Sequence, residues 1–183
     1  MNFITNKFSG VCLVEPLSFP DERGSFSRLW CDHEFAKETF PFRPEQLNFV
    51  RSIQQGTIRG LHYQKAPYQI AKLISCLKGS IHNIFLDLRP ESPTYLQWEG
   101  ITLTGPDPRM LLVPEGFANG YQTLEENSEV FYMINACHNP SAETGIRWND
   151  PRFGFKWKEI PGRTISEKDE NWPDFRERSV SGP

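Results

Sequence analysis

From Ile70 to Ile134 short apolar runs recur with turn signals between them, and this spacing constrains the fold more than any other feature of the chain. Ala71 to Leu77 and Ser80 to Asp87 flank Lys78-Gly79, which predicts a hairpin. Tyr95 to Leu103, Arg109 to Val113, Ala118 to Leu124 and Ser128 to Ile134 continue the series. Gly105-Pro106-Asp107-Pro108, Pro114-Glu115-Gly116 and Glu125-Glu126-Asn127 separate them with residues that favour turns. Runs this short and this frequent build two facing sheets or a barrel. An aromatic fraction of 13% suits such packed β-structure better than a helical bundle.

Upstream, Gly10 to Pro16 reads as a strand closed by proline, and Asp21 to Gly24 as a polar turn before a second strand, Ser25 to Trp30. Asp32 to Phe40 is the only good short helix candidate, with Asp32 available as N-cap. Asn149 to Phe175 is rich in Pro, Gly, Trp and charge, which predicts an extended wrap with short helical turns. With 183 residues and no repeat or low-complexity tract, one domain over 1–183 is expected, its N-terminal strands over about 1–30 and its C-terminal wrap over about 149–183.

A net charge of −3 argues against nucleic acid or a membrane surface as partner. No apolar run approaches the roughly 18 residues of a membrane span, and the first residues lack the basic and apolar regions of a signal peptide, so a cytoplasmic protein is expected. Cys12, Cys31, Cys76 and Cys137 are scattered without a CxxC pair and read as reduced core fillers.

Strand alternation puts Lys72, Ile74 and Cys76 on one face of their strand, and Val130, Tyr132 and Ile134 likewise on one face of theirs, so Lys72 and Tyr132 can share a cavity. A lysine there either snorkels outward or is used. In Gly56 to Gln64, Arg59 and His62 lie three residues apart and face opposite ways on a regular strand. Gly60 must bend the chain if both are to reach one ligand; otherwise His62 is a hydrogen-bonded structural residue. His33, His62, His82 and His138 have no spacing that makes two of them neighbours on a strand face, which favours a site without metal.

Asp21-Glu22-Arg23-Gly24, Arg59 to Gln64, Lys72-Leu73, Asp87-Leu88-Arg89 with Ser92 to Tyr95, Pro114 to Gly120, Tyr132 and Trp148-Asn149-Asp150 together resemble the dTDP-4-dehydrorhamnose 3,5-epimerase family, in order from about Phe19 to Asp169. The resemblance implies an all-β, cupin-like jelly-roll sandwich with a few short peripheral helices, a homodimer, no metal and no cofactor. It implies epimerisation of a nucleotide-linked 4-keto-6-deoxyhexose at C3, C5 or both. Carried over, it makes His62 the base, Asp169 its orienter, Lys72 the stabiliser of the enolate and Tyr132 the acid. Arg23 and Arg59 match phosphate ligands, Gln46 and Asn48 match positions near the nucleoside, and Phe19 and Phe26 offer it apolar faces or simply pack. A noncatalytic sugar-nucleotide-binding cupin and a ketoisomerase-like cupin are the alternatives.

Three positions depart from the family. Asn119 stands where many members have His, exchanging a titratable group for a neutral amide. That exchange is consistent with the loss of one of the two inversions, as for a 3-deoxy sugar epimerised at C5. Arg28 stands where thymidine-linked enzymes tend to have Glu; its donors suit an acceptor-rich base edge such as cytosine's, so a CDP-linked substrate stays open beside a dTDP-linked one. His138 replaces a second aromatic hydroxyl expected after Tyr132.

Overall fold

The computed structural model describes residues 1–38 and 42–177. It is an all-β sandwich of two main sheets. The strands are β1 Asn2–Thr5, β2 Cys12–Glu15, β3 Ser18–Asp21, β4 Gly24–Ser27, β5 Gln46–Ser52, β6 Thr57–Gln64 and β7 Lys72–Lys78. They continue with β8 Ser80–Asp87, β9 Trp98–Thr104, β10 Met110–Val113, β11 Phe117–Thr123, β12 Ser128–Ile134, β13 Glu143–Gly145 and β14 Thr164–Ile165. Two one-turn helices, α1 Asp32–Phe35 and α2 Glu167–Glu170, complete the described elements. One sheet runs β1-β2-β10-β7-β12-β5, the other β13-β6-β11-β8-β9, with β14 added parallel to β6; β3 and β4 form a separate hairpin.

The runs that the sequence marks as strands contain strands, shorter than expected at Ser25 to Trp30, where β4 ends at Ser27, and at Tyr95 to Leu103, where β9 begins at Trp98, but Lys78-Gly79 does not close a hairpin. β7 pairs with β10 and β12 in the first sheet, while β8 pairs with β11 and β9 in the second. Gly79, at φ 75°, turns the chain across the gap between them, and a Cβ there would lie 2.5 Å from Ser128 Oγ. Crossing over lets Ile74 and Cys76 of β7 face Ile81 and Phe85 of β8 in the central core, where Phe8, Phe117 and Val130 join them. Two adjacent apolar runs bury more surface against each other than they would side by side in one sheet.

A second cluster, with Phe35, Phe42, Leu73, Met110 and Phe131, lies where α1 covers the outer face of the first sheet. A third packs Leu61, Ile84 and Leu86 of the second sheet, with Ile146 just after β13, under Phe153, Phe155, Trp157 and Phe175 of the C-terminal segment. That segment is thus held by its aromatics along the outside of the sandwich. Gln122 adds a two-way bond with the backbone of Lys158, at 3.1 and 2.9 Å. Residues 178–183, the end of the expected wrap, lie outside the described residues.

The helix expected over Asp32 to Phe40 extends only over Asp32–Phe35, and Phe40 lies outside the described residues. Its N-cap is Cys31, without a side-chain cap; Asp32 instead pairs with Arg43 at 3.0 Å. Cys12 and Cys76 are buried as expected of core fillers, and burial pushes their thiols up to about 12 and about 11. Cys137 is exposed and Cys31 half-buried, since neither lies on a core-facing strand.

Asp87-Leu88-Arg89 and Ser92 to Tyr95 are explained by packing. The fully buried Asp87 accepts from Arg89 Nη2 at 2.7 Å, Ser92 Oγ at 2.6 Å and Thr94 Oγ1 at 2.7 Å. Burial would raise its pKa, but these bonds hold it below the ordinary carboxylate value. The network fixes the turn between β8 and β9.

Candidate active site

Five strands and the C-terminal segment meet around one cavity of about 230 Å³, lined by Val50, Arg59, His62, Lys72, Asn119, Tyr121, Tyr132 and Asp169, among others. Register sets most of this. On β7 and β12, Lys72 pairs with Ile134 and Ile74 with Tyr132, so alternation carries Lys72 and Tyr132 to the same interior face. The lysine Nζ lies 5.8 Å from the Tyr132 ring centroid.

Arg59 and His62 reach the same cavity because β6 does not run regularly. Gly60 has φ 107°, and a Cβ there would lie 2.8 Å from both Asn119 O and Gly120 Cα, where β6 and β11 pass at closest approach. The pairing of β11 with β6 shifts register between Asn119 and Tyr121 at the same level. One irregularity thus turns two residues three apart toward one space.

His62 Nε2 lies 2.6 Å from Asp169 Oδ1. The carboxylate is itself built in: Gly60 N donates to Oδ2 at 3.0 Å and Trp172 Nε1 to Oδ1 at 3.3 Å, while the Asp169 amide donates to Ser166 Oγ at 3.2 Å as part of the α2 cap. Burial alone would raise the Asp169 pKa; the bond and charge of His62, together with Gly60 and Trp172, hold it below the ordinary carboxylate value. An ionised Asp169 accepts the Nε2 proton of His62 and leaves Nδ1 as the basic nitrogen.

Burial brings the Lys72 pKa down to about 8, partly offset by the negative charge of Glu143. The Tyr132 phenol is pushed up by burial and by Glu143 against the opposing charge of Arg59, so it keeps its proton. Asn119, opposite His62 in the β11–β6 register, donates from Nδ2 to Asn83 Oδ1 at 2.6 Å and to Ile84 O at 3.2 Å. Its amide is fixed within the sheet and carries no exchangeable charge.

An adjoining cavity of about 320 Å³ shares His62, Lys72 and Tyr132 and adds Gln46, Asn48, His138 and Glu143. Gln46 Nε2 donates to Asn48 Oδ1 at 2.7 Å, and Gln46 Oε1 accepts from the His138 amide at 3.2 Å. Glu143 pairs with Lys168 at 2.7 Å and lies 3.4 Å from His138 Nε2. Glu143, Lys168 and Tyr121 are site residues that sequence reasoning missed. Alternation of Tyr121 with Asn119 along β11 was the one signal available.

Phe19, Arg23, Phe26 and Arg28 lie elsewhere. They sit on or just beyond the β3–β4 hairpin and line neither cavity. Phe19 and Phe26 are 58% and 65% exposed, Arg23 bonds Asp21 at 2.6 Å, and Arg28 pairs with Glu34 at 3.1 Å. Among the described residues no three His, Cys, Asp or Glu side chains converge as a metal site. No helix among them is long and apolar enough to cross a membrane.

The chain is a cupin-like sandwich and an isomerase acting on sugar nucleotides, and its interior sets a carboxylate-oriented imidazole, a lowered lysine and a protonated phenol around one cavity, groups suited to proton transfer. The model of the family dTDP-4-dehydrorhamnose 3,5-epimerase matches residues 5–177, and the chain belongs to that family. A dTDP-4-dehydrorhamnose 3,5-epimerase of Sinorhizobium fredii is 34% identical over 181 residues, covering 99% of this chain and 93% of that one. The crystal structure of the Bacillus anthracis enzyme with TDP and PPi bound superposes with TM-score 0.91 at 34% identity, covering 95% of this chain and 99% of the other. A 3'-monoepimerase from Streptomyces bikiniensis in complex with dTDP-quinovose superposes with TM-score 0.86 at 25% identity, over 93% of this chain and 86% of that one.

Proposed function

We propose that this chain inverts a carbon next to the C4 ketone of a nucleotide-linked 4-keto-6-deoxyhexose. The observation that carries the reading is the 2.6 Å His62–Asp169 pair inside a cavity shared with Lys72 and Tyr132. His62 Nδ1 removes the proton α to the ketone, and Asp169 stabilises the imidazolium that results. The electron pair moves onto the C4 oxygen, where the Lys72 ammonium stabilises the enolate. Tyr132 returns a proton to the opposite ring face, so the carbon is inverted with no net oxidation. Arg59 supplies a guanidinium for the diphosphate, and Gln46, Asn48 and His138 face the nucleoside side.

Asn119 supports inversion at one centre. Its amide does not titrate and so cannot serve as acid or base at a second carbon, which suits a substrate with a single reacting carbon, such as a 3-deoxy sugar epimerised at C5. A dTDP-linked sugar is the first candidate, and a CDP-linked one stays open beside it because the donors of Arg28 suit an acceptor-rich base edge.

The hairpin completes the site from a second copy of the chain. Exposed Phe19 and Phe26 beside Arg23 have the composition of a ligand-covering flap, and Leu47 and Phe49 leave an apolar outer face on the edge strand β5. A homodimer that exchanges hairpins accounts for both features.

The reading is tested by incubation in deuterium oxide with dTDP- and CDP-linked 4-keto-6-deoxyglucose, with NMR assignment of the exchanged carbons and their stereochemistry. Exchange with inversion that disappears in His62→Ala is expected. Normal exchange in that variant refutes the base assignment, deuterium at both C3 and C5 refutes the single-centre reading, and exchange without inversion points to a ketoisomerase.

A further inference from the structure

The hydroxyl of Tyr121 has no partner. The residue is 7% exposed, its side chain lines the cavity between Arg59 and Tyr132, and its oxygen makes no hydrogen bond. A buried hydroxyl left in this state is unfavourable, and in a native site its partner is an ordered water or a group of the ligand. The neighbouring Ser52 Oγ already accepts from Arg59 Nε at 3.2 Å. Arg59 itself has donors only. Burial pushes the Tyr121 phenol up to about 12 against the opposing charge of Arg59 and the pull of the nearby Ser52 hydroxyl, so it stays an O–H donor at any physiological pH. This corner of the cavity therefore holds a guanidinium and a phenol that share Ser52 Oγ as their nearby protein acceptor, and that oxygen already takes Arg59 Nε.

We propose that Tyr121 is a further substrate ligand, donating its hydroxyl proton to an oxygen of the diphosphate that Arg59 holds. A phosphate oxygen has lone pairs enough to accept from both groups at once, and such charge-assisted bonds are the strong ones. The inference rests on the sugar-nucleotide reading of the cavity. It makes Tyr121 a determinant of affinity, separate from the proton transfers of His62 and Tyr132.

The test is Tyr121→Phe, which removes one unpartnered oxygen and keeps the ring in the core. Affinity for free dTDP and CDP is measured by calorimetry, turnover by deuterium exchange and stability by thermal melting. The expected result is an unchanged or slightly raised melting temperature, a loss of about tenfold in nucleoside diphosphate affinity and an equal rise in KM. Turnover at saturation stays within about twofold. Two results overturn the proposal. Unchanged affinity with a lower melting temperature means that the hydroxyl shares a buried water with Asn83 Nδ2, which is likewise unpartnered and pairs opposite Tyr121 in the β11–β8 register. A fall in kcat at unchanged affinity means that it serves the reacting carbons. If the unmodified protein neither binds either nucleotide nor exchanges deuterium, the sugar-nucleotide reading itself fails, and this inference with it.

Discussion

The cavity and the β3–β4 hairpin carry residues of the same chemical kinds, arginines and aromatics, yet the fold treats them in opposite ways. Around the cavity each side chain is held by strand register or by a buried bond: Tyr132 by its pairing with Ile74, Asp169 by Gly60 and Trp172. On the hairpin, Phe19 and Phe26 stack loosely at 6.4 Å and project from the surface, and Arg23 answers only to Asp21. Groups that must hold a reacting atom to a fraction of an ångström are built on central strands. Groups that only cover or grip the ligand can sit on a mobile or exchanged element.

The largest effect is expected inside the cavity. Asp169→Asn keeps the shape but reverses the hydrogen-bond demand on His62, and should lower kcat by about a hundredfold or more with little change in KM. A KM effect of that size instead would mean that Asp169 binds rather than orients. Next, Arg23→Ala with Phe26→Ala should raise KM about tenfold and spare kcat. Mixed with His62→Ala chains under subunit exchange, this double variant should recover activity above the sum of the two, because one hybrid site then has both a wild-type base and a wild-type hairpin. No recovery would place the hairpin's contribution within its own chain.

A smaller effect separates the two regions by pH. Lys72 must be protonated to stabilise an enolate, and its pKa is lowered by burial to about 8, so kcat should decline as pH rises through about 8. Lys72→Arg should keep the charge and move this alkaline limb upward, whatever its effect on the rate. The stability sign is opposite. Between about 8 and the ordinary 10.5 the unfolded chain binds the proton that folded Lys72 has lost, so Lys72 destabilises less as pH climbs. Thermal melts of wild type and Lys72→Met should therefore converge toward high pH. The exposed hairpin arginines should add nothing to either profile.

The smallest effect concerns Arg28. Its replacement by Glu should move the ratio of dTDP to CDP affinity a few-fold toward dTDP. Because Arg28 pairs with Glu34, which also takes the N-terminal ammonium at 2.6 Å, the comparison needs Arg28→Gln as a control for the lost ion pair.

Much of this was legible in one dimension because it rests on period and punctuation. The strands from β7 to β12 follow from apolar runs bounded by turn residues, and the shared face of Lys72 and Tyr132 follows from a period of two. The glycine between Arg59 and His62 announced that β6 must bend. What the sequence could not decide was partnership. Lys78-Gly79 looks like a hairpin turn, and whether it folds back or crosses depends on which sheet buries β8, a matter of the whole core. Asp32 is a good cap by type but was drawn to Arg43, and the helix stopped where Phe35 entered the core.

The site divides along the same line. The sequence by itself determined the fold class, the family, and the presence of His62, Lys72, Tyr132 and Asp169, since residue types at ordered spacing are one-dimensional facts. Only the tertiary structure decided that Asp169, 107 residues away, bonds His62 and that Glu143 holds Lys168 between the two cavities. It alone left the Tyr121 hydroxyl buried without a partner and kept the hairpin outside. The physical reason is that such facts are distances and burial between segments remote in the chain, and no local pattern encodes them.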